Sequence, residues 1–127
     1  MIQSINPANL QLIKTFHSML PSEVNNILEL TNSAFEEWKV TSFSLRSKLM
    51  MNAAAVLKAK REEYSKLMTI EMGKPIVQSR AEVDKCAWVC EYYADNAEKF
   101  LSDELIATDA SKSFVAFQPL GIVLAVM

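Results

Sequence analysis

The run Leu120-Gly121-Ile122-Val123-Leu124-Ala125-Val126-Met127 constrains this chain more than any other stretch. It is almost continuously apolar, rich in β-branched residues, and follows Pro119 directly. That pattern predicts a strand buried on both faces of a sheet, not one with a solvated side. Such a strand needs neighbours to pair its backbone and helices to cover it. These are the last of the 127 residues, so the expectation is that the chain is the front part of a larger protein.

The composition narrows the partners. Half the residues are hydrophobic, enough for a core, and the net charge is -2, with 13 basic and 15 acidic residues interspersed. Nothing in that balance calls for nucleic acid or an anionic membrane. Ile122 to Met127 falls far short of the roughly 20 apolar residues of a membrane span. No basic segment precedes an apolar run near Met1, so the expected location is cytoplasmic. The two glycines, Gly73 and Gly121, cannot build a glycine-rich phosphate loop or a dinucleotide fingerprint.

Periodicity gives the order of elements. Ile2 to Ile5 reads as a strand entering an Asn6-Pro7 turn, with Leu10 to His17 returning beside it and Leu10, Leu12 and Phe16 sharing a side. Val24, Ile27, Leu28, Thr31, Phe35 and Trp38 then form one helical face, for which Ser22 is the predicted cap. Ser42 caps a second helix with Leu45, Leu49, Ala53, Val56 and Leu57 inward and Arg46, Lys48 and Lys58 outward. A short helix from about Glu62 ends at Gly73, the residue suited to a left-handed cap. Ser79 and Glu82 have the spacing of a capping box for a long helix reaching Leu101. Ser113 to Gln118 is the next predicted strand.

Candidate chemistry is sparse. Cys86 and Cys90 lie on the apolar stripe of the long helix, far in sequence from the single histidine, His17, so they read as packing thiols and not as a nucleophile. Their spacing on one helix does not suggest a disulfide or an oxidising compartment. The carboxylates Glu62, Glu63, Glu71, Glu82, Asp84 and Glu91 come with no nucleophile or metal set and read as a solvated face. Trp88, Tyr92 and Tyr93 read as core aromatics. No metal site and no complete catalytic constellation is visible.

Four segments together resemble the N-terminal part of the aldehyde dehydrogenase superfamily. They are Ser4-Ile5-Asn6-Pro7-Ala8, Ala34-Phe35 to Trp38 with Arg46, Glu71-Met72-Gly73-Lys74-Pro75 with Arg80-Ala81-Glu82-Val83 and Tyr92-Tyr93-Ala94, and Pro119 to Met127. The third is the most specific and looks most like the succinate-semialdehyde dehydrogenase branch. The Thr-Gly-Glu that usually follows the opening hairpin is missing. The resemblance implies an α/β fold, incomplete here, that forms the N-terminal portion of an NAD(P)-binding domain. Residues 1–20 would be its hairpin, 22–101 a helical segment, 113–118 an oligomerisation-type strand and 121–127 the first strand of the cofactor-domain sheet.

The resemblance further implies an intact enzyme, homo-oligomeric when full length, that oxidises an aldehyde to an acid. A cysteine thiolate attacks the carbonyl, hydride passes to NAD or NADP, and a thioester is hydrolysed. The family nucleophile, base, oxyanion-holding asparagine and cofactor-phosphate loop are not among these residues, and neither Cys86 nor Cys90 matches the nucleophile. This chain alone is therefore expected to be inactive and to bind no cofactor. Ala81 and Lys85 are expected to border the mouth of the substrate tunnel, Lys85 suiting an acidic aldehyde, beside the plainer reading of a surface lysine. Glu71 is similar in position to a residue near a family monovalent-cation site. The alternative reading is an independent, mostly helical interaction module without catalysis.

Overall fold

The computed structural model describes residues 1–126. Strands β1 (Ile2–Ile5) and β2 (Leu12–Phe16) form an antiparallel hairpin. Four helices follow: α1 (Pro21–Trp38), α2 (Phe43–Ala59), α3 (Arg61–Met72) and α4 (Ile76–Phe100). A second antiparallel pair, β3 (Glu104–Leu105) and β4 (Phe114–Val115), closes the described elements.

The hairpin departs from simple alternation because its register shifts between Ser4 and Ile5, so that Ile5 faces Leu12 and Ile13 is the extra residue. Ile13 and Thr15 are half-buried, while Leu10, Leu12 and Phe16, expected on one side, are all exposed. The hairpin is moored to the end of α3. Ser4 Oγ donates to Glu71 Oε1 at 2.8 Å, and a Cβ placed on Gly73 would lie 3.0 Å from Pro7 Cγ. Gly73, at φ 70°, is the left-handed cap that its sequence position predicts.

Two helix starts differ from expectation, for the same reason. Pro21 occupies the first position of α1, where a missing N–H costs nothing, so the helix begins before Ser22. The Glu23 carboxylate, not the Ser22 hydroxyl, accepts the Leu20 N–H, at 2.6 Å. Likewise Pro75 starts α4 at Ile76. Ser79 and Glu82 therefore fall inside the helix and form no capping box. Ser42 does cap α2, accepting the Leu45 N–H at 3.2 Å.

The fully buried residues are few and small: Ala54 of α2, Ser65 of α3, and Ser79, Val83 and Ala87 of α4. Small side chains let α2 and α3 approach α4 closely. The Ser79 and Thr69 hydroxyls meet at 3.1 Å, and Ser65 Oγ donates to the Arg61 carbonyl at 2.6 Å, so the buried polar atoms are satisfied. Helix α2 is apolar on more than one side. It turns Ala54, with Met50 and Leu57 half-buried, toward its neighbours, while the expected Leu45, Leu49 and Val56 stay exposed. Arg46, expected outward, folds back half-buried and donates to Thr41 Oγ1 and the Trp38 carbonyl, both at 2.8 Å, capping the end of α1.

Much apolar surface is uncovered. The chain exposes 10318 Å², against roughly 6,800 Å² for a compact protein of this mass. Helix α1 buries no residue fully, and Val24, Ile27 and Leu28 remain exposed. Residues 120–126 are not a strand, and Leu120, Leu124 and Val126 are almost fully exposed. No strand lies beside them among the described residues, so the ladder that would define a strand is not formed. Met127 lies outside the described residues. The predicted strand at 113–118 shortens to Phe114–Val115 because its partner, Glu104–Leu105, is only two residues long.

Candidate functional site

Helix α4 divides the molecule. One face, through Ser79, Val83 and Ala87, is buried on α2 and α3. The other half of the same turns lines an open groove of about 730 Å³, together with Lys74 of the α3–α4 connection. Ala81 and Lys85, the two residues expected at a tunnel mouth, both lie on it. Beside them are Gln78, Glu82, Cys86, Val89 and Cys90.

The charges around α4 are largely spoken for. Arg61 of α3 grips Asp84 with both arms, at 2.6 and 2.8 Å. Arg80 does the same to Glu62, with its closest contact at 2.7 Å. Each carboxylate is held below the ordinary range, first by its hydrogen bonds from the arginine and then by the arginine's charge. The Arg61 guanidinium is correspondingly pushed up by its hydrogen bond with Asp84. Lys58 of α2 pairs with Glu91 at 2.5 Å. These bonds pin α4 to α2 and α3 along its solvent edges and so fix the direction in which the groove faces. The Glu82 carboxylate is paired with Lys74. Lys85 has no carboxylate partner among the described residues.

Cys86 is exposed and Cys90 half-exposed, so the reading of both as packed thiols is corrected for these residues. Their helical positions place them at the edge of the buried stripe, where it borders the groove. His17 lies beyond β2 on an exposed segment, and no cluster of three or more metal-ligating side chains occurs among the described residues. The aromatics expected in the core are also outside it. Trp88 is 59% exposed, and Tyr92 and Tyr93 nearly half so. Tyr92 instead contacts Trp88, Tyr93 and Phe100 with ring centroids 5.4–6.0 Å apart. Glu71 is engaged by Ser4 and holds the hairpin.

Among the described residues, Gly73 ends α3, Gly121 has open space around it, and no glycine-rich turn opens a helix. What the groove offers is an unpaired cation on a rigid helix with a small residue, Ala81, one turn away. Lysine pairing across α3 and α4 was not legible in the sequence, since it depends on how the Gly73–Pro75 connection lies against the second turn of α4.

The aldehyde dehydrogenase family model matches residues 1–127, the full length of the chain. The chain belongs to the aldehyde dehydrogenase family. Among relatives, a probable NADP(+) succinate-semialdehyde dehydrogenase of Synechocystis sp. is 48% identical over 99% of this chain, which spans 28% of that protein. The succinate semialdehyde [NAD(P)+] dehydrogenase Sad of Escherichia coli is 33% identical over 98% of the chain, which spans 27% of it. In structure, this aldehyde dehydrogenase segment superposes on succinic semialdehyde dehydrogenase from Streptococcus pyogenes, solved with NADP+, with a TM-score of 0.82. The identity there is 29%, covering 88% of this chain and 25% of that one. The chain thus spans about a quarter of the length of the relatives it matches. No helix among the described residues is long and apolar enough to cross a membrane.

Proposed function

We propose that this chain forms the N-terminal part of an NADP-dependent succinate-semialdehyde dehydrogenase, which oxidises an acidic aldehyde to the dicarboxylate. The 48% identity to the Synechocystis relative over nearly the whole chain carries the reading. The oxidation itself belongs to the rest of the enzyme, since no group here serves as nucleophile, base or dinucleotide cradle.

Within that enzyme the segment has three tasks. Residues 1–20 and 22–101 are a hairpin and helical layer on the cofactor domain. Residues 113–118 are an edge through which subunits pair, by main-chain hydrogen bonds of the kind any exposed strand offers. Residues 121–127 become a sheet strand once flanked. At the groove, Lys85 meets the substrate carboxylate and Ala81 leaves room for the chain to pass. A single cation on a rigid helix suits recognition of one carboxylate at the far end of an aldehyde. The alternative of an independent helical module has no observation of its own in its favour.

The test is turnover by the complete enzyme carrying residues 1–127. Succinate semialdehyde with NADP+ is the expected substrate pair, and no turnover of that aldehyde overturns the proposal. A Lys85→Met variant should raise KM for succinate semialdehyde, and an unchanged KM removes Lys85 from the site.

A further inference from the structure

Two carboxylates, Asp84 and Glu82, lie within three residues of Lys85, and each is held by a different cation. Side chains on a helix meet neighbours three and four positions away. For Lys85 these are Ala81, Glu82, Trp88 and Val89. Glu82 is the only acid among them, so it is the one group on α4 that could take Lys85 out of the groove. It is turned away instead by Lys74.

Lys74 is well placed to do this. It stands between Gly73, fixed at φ 70° as the cap of α3, and Pro75, at φ -54° before the first turn of α4. The connection is therefore short and its backbone stiff, which fixes where the Lys74 side chain starts. Lys74 and Glu82 side chains are only 30% and 45% exposed, and both line the groove with Lys85.

We infer that the Lys74–Glu82 pair is a specificity device: by occupying the Glu82 carboxylate, Lys74 keeps Lys85 free for the carboxylate of an acidic aldehyde. Lys74 is a positioning residue and does not touch the substrate. The inference rests on the proposed role of Lys85 at the tunnel mouth. Without Lys74, Glu82 turns to Lys85 one helical turn on, and the groove loses its net positive charge, Lys85 and Glu82 then cancelling. Both changes oppose an anionic substrate and leave an uncharged one unaffected.

The experiment compares the complete enzyme with its K85M, K74M and K74M/E82Q variants, using succinate semialdehyde and an uncharged aldehyde of similar length. K74M should raise KM for succinate semialdehyde about threefold, the scale of one exposed ion pair, with kcat and the KM for the uncharged aldehyde unchanged. Adding E82Q should restore the KM, which a merely structural role for Lys74 would not allow. The inference is overturned if K74M moves both substrates alike, moves neither, or is not rescued by E82Q while K85M does raise KM for the acidic aldehyde. If K85M has no effect, or no protein turns over succinate semialdehyde, the underlying reading of the groove fails and this one with it.

Discussion

Helices α2, α3 and α4 and the segments around them obey different rules. Among the described residues, the three helices contain every fully buried one; a hydroxyl contact and bidentate arginine–carboxylate pairs tie α3 to α4, and Lys58–Glu91 ties α2 to α4. Residues 120–126 are more apolar in sequence than any of the three, and helix α1 carries an apolar stripe, yet neither buries a residue fully. Hydrophobicity measures what a segment could bury, and the difference between the regions is whether a complementary surface is at hand. The first region finds such a surface within the chain, and the second does not among the described residues.

The sharpest way to break this comparison is to charge the inner region. Ala87 of α4 is fully buried, and Ala87→Asp should cost at least about 3 kcal/mol, as an unpaired buried charge does. Loss of helical circular dichroism is the readout, and a native spectrum would sink the idea of a core among these helices. Gly73→Val comes next. Its φ of 70° and the Pro7 ring beside it should together cost about 1–2 kcal/mol, seen as a lower urea midpoint. Thr69→Val should cost about 1 kcal/mol by leaving the buried Ser79 hydroxyl without its partner.

Acid should loosen the same region more gently. Asp84 and Glu62 have depressed pKa values, so their contribution is complete above the ordinary carboxylate range and is lost as pH falls through the lower, folded-state values. Arg61→Gln should flatten that acid limb in a pH series of urea midpoints. Smallest of all should be Leu28→Ser on α1, whose side chain is 48% exposed; its effect should stay within about 0.5 kcal/mol. Destabilisation as large as that from Ala87→Asp would mean that α1 is held in a core after all.

Local rules were legible where the residues responsible are neighbours in sequence. Gly73 ended a helix and Ser42 began one because cap geometry involves only the next few backbone amides. The Ser79–Glu82 capping box failed because α4 starts four residues sooner, with Pro75 and not Ser79 as its N-cap, a competition between two local signals that spacing alone does not rank. The inner face of α2 was misread because Ala54 and the Leu45–Leu49 stripe both satisfy helical periodicity. At the groove, Ala81 and Lys85 came from family resemblance, and periodicity gave no reason to prefer them.

The sequence by itself determined the helices, their left-handed stop at Gly73, the hairpin's turn and the family, since each depends on residue order over short spans or on motif order along the chain. Only the tertiary structure decided which apolar stripe of α2 meets α4, that Glu82 is taken by Lys74, and that Lys85 is left unpaired over an open groove. Those outcomes depend on distances between helices remote in sequence, and the packing of small residues such as Ala54, Ser79 and Ala87 sets them.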